Sequence, residues 1–249
     1  MHVEWMNYEN SETCLTTRHE TVTGLDFSGT KVDRFFAWDS TITDCNFSGL
    51  RVKKLFQAGS GTVFTEYRRC NFDRADLMFG PGGRARFIEC SFQGARIREF
   101  SVDPLDLINC DFRGARLLSC IIRGSVDPYK QKKHPEIRAV NEIRGNDFTG
   151  ATLKDTDFRG GVDLTAQKLP QGPDYAFALD GAKAIDRIQD LTATWDPEHK
   201  DTDTMLFYVS LFRRHFDAGQ KELFTCRIRL ADPSHWDQVR DVINQTPNP

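Results

Sequence analysis

The chain has 249 residues, with 33 Lys+Arg against 36 Asp+Glu for a net charge of −3, and its longest uninterrupted apolar run is Met205 to Val209. A membrane span needs about 20 apolar residues, so none is expected, and a balanced charge sets up no overall field for binding nucleic acid or mimicking it. Seven cysteines behind an acidic amino terminus that lacks an apolar leader predict a soluble, cytoplasmic protein with reduced thiols, while 19 Phe against 5 Tyr and 4 Trp signal a recurring need for one ring.

Residues 1–24 carry Trp5, Met6 and Tyr8 and read as a small N-terminal cap. From residue 25 a period of five takes over. Stepping by five from Phe27 through Val32, Ala37, Ile42 and Phe47 to Ile122 visits 20 positions, of which 17 are apolar or aromatic, against about 8 expected from the overall apolar content of 39%. Five fits neither the 3.6-residue period of a helix nor the two-residue period of a long strand; it describes a chain that turns a corner every few residues and returns one side chain inward each time. The residue two before each inward one is mostly small, and five of the seven cysteines (Cys45, Cys70, Cys90, Cys110, Cys120) stand there. A disulfide framework is the rival reading of seven cysteines, but this regularity favours buried thiols acting as small hydrophobes.

The blocks CNFDRADL, CSFQGARI, CDFRGARL and NDFTGATL, within about residues 25–165, resemble the pentapeptide-repeat family, whose consensus is A-(D/N)-(L/F)-X-X. The resemblance implies an all-β solenoid: a right-handed quadrilateral β-helix with four repeats, or 20 residues, per coil. Coil starts near 25, 45, 70, 90, 110 and 146 give six coils, with Phe72, Phe92 and Phe112 on one face and Cys70, Cys90 and Cys110 beside them.

Departures from the period mark loops. The 25-residue step from Cys45 to Cys70 holds five extra residues, placed as an outward loop at Gln57–Thr62, and Gly80-Pro-Gly-Gly reads as a tight corner. The larger break is the step of 36 from Cys110 to Asn146, which is 20 plus 16, so residues 125–140 (SVDPYKQKKHPEIRAV) are expected as an extruded loop. It gathers Tyr129, Lys130, Lys132, Lys133, His134 and Arg138 against Asp127 and Glu136, and is the candidate partner-binding element.

Residues 166–249 read as a small, mainly α-helical C-terminal capping domain. Tyr175, Phe177 and Leu179 alternate as in a strand; Ala184, Ile188 and Leu191 share a helix face; Met205, Val209, Phe212 and Phe216 form an apolar stripe and a candidate dimer interface, a mode the resemblance also suggests. Asp232 and Pro233 have the N-cap and N1 chemistry of a third helix, while Phe224 to Leu230 fits strand or helix.

No catalytic residue, cofactor or metal is expected. The six histidines stand at no metal-ligand spacing, and the sequence has no Cys-x-x-Cys, no Gly-x-Ser-x-Gly and no Walker-type loop. Asp26, Asp111, Asp147 and Asp157 fill the repeat's second position, where short polar side chains bind turn backbone. Cys226 with His215 or His235 is the nearest approach to a nucleophile pair, and a buried thiol explains Cys226 more simply.

Several pentapeptide-repeat proteins resemble DNA and protect bacterial DNA gyrase or topoisomerase IV from antibiotics and other poisons. The resemblance therefore implies a protein partner of that kind, with a general protein-binding scaffold as the alternative. Residues 25–165 hold 22 Lys+Arg and 19 Asp+Glu, a net of +3, which weighs against DNA mimicry. Direct nucleic-acid binding is not expected on this reading; the apolar α-helical stripe is read either as a helix buried by the tail and the last coil or as the interface of a homodimer through the C-terminal domain.

Overall fold

A computed structural model describes residues 4–8, 12–80 and 83–247. Four faces recur. The second and fourth are parallel ladders, an eight-stranded sheet running through Lys31–Trp38, Arg51–Ser60, Asp76–Phe79, Arg96–Arg98, Arg116–Leu118 and Thr152–Lys154, and a six-stranded sheet running from Thr21–Thr23 to Ile143–Arg144. The first face is a file of single parallel bridges, Asp26 to Asn46 to Asn71 to Ser91 to Asp111 to Asp147. On the third, Ile121–Arg123 pairs with Asp157–Arg159.

The register shows the 20-residue coil directly: Asp76 pairs with Arg96, which pairs with Arg116. It also shows that insertions leave the ladder unbroken, since Ile42 pairs with Tyr67 across the 25-residue step and Leu107 with Ile143 across the 36-residue step. Of the inward series only Phe27, Gln57 and Thr62 are not buried, with Gly82 outside the described residues. The all-β solenoid with a small, mainly helical C-terminal part is thus the observed fold.

Inside the rod, rings stack on rings. Phe27, Phe47, Phe72, Phe92, Phe112 and Phe148 form one column with centroid spacings of 5.0, 4.8, 4.9, 4.8 and 4.7 Å and interplanar angles of 9° or less. The spacing is that of adjacent strands in a sheet, so each rung of backbone delivers one ring on top of the last. A second Phe column, which the five-residue count misses, lines the third face through Phe35, Phe56, Phe79 and Phe100 at 4.7, 4.9 and 4.4 Å. Phe35 and Phe100 stand two residues before the inward Ala37 and Val102, where the repeat elsewhere takes a small residue; a large ring there compensates for the small ones in the column.

All seven cysteines are free thiols, as the positional regularity implied. Cys70, Cys90 and Cys110 each lie 3.4 Å from a carbonyl of the preceding coil, that of Ile42, Tyr67 and Phe87 respectively. Burial pushes the Cys120 thiol up to about 11, which keeps it protonated and inert. At the sixth coil the column ends on buried Asn146, whose amide bonds Leu107 O and the buried Gln167 side chain. Asp26, Asp111 and Asp147 accept from the backbone N–H two residues on, at 2.9–3.0 Å, as turn residues should. Asp157 does not, pairing with Arg159 instead.

Three expectations need correction. The ladder starts before residue 25: Glu12–Arg18 runs parallel to the first-coil strand and Thr21–Thr23 parallel to Thr41–Thr43, leaving only Glu4–Tyr8 as an antiparallel covering strand. The side chains of Trp5, Met6 and Tyr8 fall outside the described residues. The five extra residues are not one loop at 57–62, because the strand continues to Ser60. The offset grows from 20 at Val32/Val52 to 21 at Phe35/Phe56, 22 at Trp38/Ser60 and 25 at Thr41/Glu66, so bulges absorb two residues and the turn at 61–64 absorbs three.

The third correction concerns the tail. Helices α2 (Gly181–Thr192), α3 (Lys200–Asp217) and α4 (Pro233–Asn244), which follow the short loop helix α1 (Pro128–Lys133), pack beside the hairpin Tyr175–Ala178/Leu223–Cys226. Met205, Val209 and Phe212 are buried in the core of this unit and Phe216 packs over Gly181, so the proposed dimer stripe holds the tail together instead. The unit closes the last coil: Phe224 meets Phe158 edge-on at 5.8 Å, the Tyr175 hydroxyl bonds Leu153 N and Ala151 O, and Gln220 satisfies the backbone of Gly161 and Val162. An edge that would otherwise template further strands is covered.

Phe92→Lys should therefore place an unpaired charge inside the ring column and abolish soluble folding, whereas the exposed Arg96→Ala should keep the wild-type melting temperature within a few degrees. Equal melting temperatures for the two variants would reject the register.

Candidate functional site

The departures from the five-residue period meet at one corner of the rod. In the 61–64 turn, Val63 N donates to Asp39 (2.9 Å), and Phe64 carries two guanidinium groups over its ring, Arg86 at 5.0 Å and Arg138 at 5.2 Å. Arg84 reaches back to Thr62 O and forward to Glu136 at 3.1 Å, while Pro81 and Gly82 of the corner expected at Gly80 lie outside the described residues. Segments that are far apart in sequence, 61–64, the stretch at Arg84 and 125–140, thus brace one another.

The loop is a built structure. Its base closes at an antiparallel bridge between Ser125 and Val140, with Val126 N bonded to Ala139 O, at the boundaries that the 16-residue excess marks. Asp127 caps helix α1 by accepting from Tyr129 N and Lys130 N, Pro128 occupies the first helical position, and Ile137 is buried beneath.

Two buried carboxylates anchor it. Asp106, fully buried, takes Arg86 Nε at 2.7 Å, the Arg138 guanidinium, and Glu142 N at 2.7 Å. Asp103 accepts from Asp127 N at 3.0 Å and from Asn141 at 3.3 Å, with Lys130 Nζ 3.7 Å from its carboxylate and 2.6 Å from its carbonyl. Asp106 stands at the repeat's second position, before the inward Leu107, and Asp103 follows the inward Val102, so both read as ordinary repeat residues and only the fold shows what they do.

The six candidate residues therefore divide. Lys130 and Arg138 are internal ties, and His134 lies 3.4 Å from Glu136. Tyr129 is 75% exposed, and Lys132 and Lys133 are exposed with no ion pair among the described residues. Val63 and Val140, on the adjoining turn and at the loop base, are exposed as well. A rigid corner that shows one tyrosine, two aliphatic side chains and two lysines is suited to a protein surface.

The Cys226 thiol is pushed up to about 12 by burial and faces Thr156 O, and burial holds His215 below its ordinary value. His199, Asp201 and His235 converge within 4.8 Å, which their sequence spacing does not foretell. The Asp201 carboxylate is already occupied by Ala231 N, Asp232 N and His235 Nδ1 at 2.7–2.9 Å, and His199 Nδ1 accepts from Asp201 N. This knot ties the start of α3 to that of α4. No helix among the described residues is long and apolar enough to cross a membrane.

Five-residue repeats wound four to a coil around stacked Phe rings define the fold as a four-sided parallel β-solenoid. No family profile and no curated protein matches the chain. Among solved structures it is similar to HetL, a pentapeptide-repeat protein involved in heterocyst differentiation regulation in the cyanobacterium Nostoc sp. strain PCC 7120, at 14% identity and a TM-score of 0.29 over 67% of this chain and 73% of that one. It is also similar to full-length QnrB1, a plasmid-mediated fluoroquinolone resistance protein, at 17% identity and a TM-score of 0.24 over 62% of this chain and 81% of that one. At such values the activity of neither transfers.

Asp106→Ala would leave Arg86, Arg138 and Glu142 N without their shared acceptor, at a cost of about 3 kcal/mol. Limited trypsinolysis should then cut at Lys132 or Lys133 at least about tenfold faster while the β-helix circular dichroism persists. An unchanged cleavage rate would show that the carboxylate does not hold the loop.

Proposed function

We propose that this protein is a non-enzymatic protein-binding solenoid whose recognition element is the corner built from residues 61–64 and 125–140, and that a type II topoisomerase, DNA gyrase or topoisomerase IV, is the first target to test. The observation that carries the reading is the anchored loop: two buried aspartates hold Tyr129, Lys132 and Lys133 at fixed orientation, so a partner meets a preorganised surface with little left to order. The topoisomerase target is supported by the repeat resemblance alone, and antibiotic or poison protection would follow from it. A general interaction scaffold is the second reading, favoured by the excess of cations over acids in residues 25–165, which is opposite to a phosphate mimic.

The test is gyrase supercoiling with and without a poison, comparing wild type, a variant with 126–139 replaced by a short Gly-Ser link, and Tyr129→Ala/Lys132→Glu/Lys133→Glu. Protection by wild type and its loss, by about tenfold or more, in both variants is the expected result. Protection that survives loop removal would move recognition to the rod's faces, and absence of both protection and gyrase binding would leave the scaffold reading.

A further inference from the structure

Two faces of the rod carry cations, and they treat them differently. On the fourth face each basic side chain meets an acid: Arg68 and Arg86 meet Glu66, Arg86 and Arg138 meet Asp106, Arg69 meets Asp44, and Arg144 meets Glu142. On the second face the outward residue before each inward one forms an in-register file of Lys31, Arg51, Asp76, Arg96, Arg116 and Thr152. Its single carboxylate, Asp76, is taken from the side by Arg98 at 2.7 Å. Lys31, Arg51, Arg96 and Arg116 are exposed, and no side-chain hydrogen bond or ion pair engages them among the described residues. Beside this file Lys154 is exposed with no ion pair among the described residues, whereas Lys53 lies 3.9 Å from Asp33 and Arg98 is held by Asp76.

Strands lie about 4.8 Å apart, so Lys31 stands one rung from Arg51 and Arg96 one rung from Arg116, like charges directly opposite, an arrangement that destabilises a sheet. The fold keeps this repulsion among four residues of the second face while every basic side chain named on the fourth face is neutralised. The net charge of −3 conceals this because it sums all faces together.

We infer that the second face is a binding surface for the phosphate backbone of double-stranded nucleic acid. A straight file in which four of six rungs carry an unpaired cation, two on either side of Asp76, along a rod on the order of 25 Å, matches a rigid linear polyanion better than the scattered acids of a protein surface. No aromatic residue occurs in 31–34, 51–54, 76–78, 96–98, 116–118 or 152–154, so the face offers no stacking platform for single-strand bases. Contacts of this kind go to phosphates and carry no base specificity. The inference is independent of the loop reading, whose residues stand elsewhere on the rod.

Fluorescence anisotropy with a random-sequence DNA duplex of about 20 bp, at about 50 to 200 mM salt, tests it. Wild type should bind with an affinity that falls steeply with salt. Arg96→Gln/Arg116→Gln, and separately Lys31→Gln/Arg51→Gln, should weaken binding at least about tenfold and make the logarithmic salt slope shallower by about 2. Both should melt at or above the wild-type temperature in low salt, since a repulsion is removed. Lys132→Gln/Lys133→Gln on the loop should leave duplex affinity within about twofold. No duplex binding at about 50 mM salt, an equal loss in the loop variant, or tighter binding of polyglutamate than of duplex at equal charge would overturn the assignment, the last pointing to an acidic protein.

Discussion

Every part of the rod depends on one geometric return: five residues after an inward side chain the backbone brings the next one in, and twenty residues later the same face recurs one rung up. Flat rings suit this return because their stacking distance equals the strand spacing, so Phe47, Phe72, Phe92 and Phe112 satisfy ring packing and backbone pairing together. Narrowness follows. With one large side chain per face and a small one at the corner, there is room for a thiol or an alanine beside each ring, which is why five cysteines share one phase and none is bridged.

A lattice this strict forces irregularity outward. The additional residues at 61–64 and 125–140 leave the ladder at one corner, where each becomes the other's support through Phe64, Arg138, Arg84 and Glu136. The carboxylates that hold the larger loop are buried in the face it leaves, so the scaffold and the loop share the same hydrogen bonds. The tail solves a different problem: the last coil exposes backbone, and Gln220, Tyr175 and Phe224 cover it with polar and aromatic groups from a separately packed helical unit. The candidate surfaces are therefore by-products of register and closure.

Much of this was legible in the amino-acid order because the period writes burial directly into sequence. The six-ring column, the thiol file and the 125–140 boundaries follow from counting, since a residue's phase fixes its side of the wall. What was not legible depends on contacts between phases. The Phe35–Phe100 column stands at the position expected to be small, and the count from Phe27 runs on to Gln57 and Thr62 because a bulge shifts the inward residue to Phe56 and Ala58. The roles of Lys130 and Arg138 could not be read because their partners, Asp103 and Asp106, look like ordinary repeat residues. The apolar stripe of α3 fitted a buried core as well as an interface, a choice that periodicity cannot make and burial does. The cation file escaped because summing charge over 25–165 averages the four faces.

The central claim is that the ladder keeps one rung per coil whatever the length of the coil. Anomalous diffraction at the sulfur edge of native crystals would locate the sulfurs of Cys45, Cys70, Cys90 and Cys110 without reference to any atomic coordinates. The account predicts four sulfurs in one file, with the Cys45 to Cys70 step, which spans 25 residues, equal to the 20-residue steps that follow at about one strand spacing. Sulfurs off a common line, or a longer step across the 25-residue coil, would contradict it.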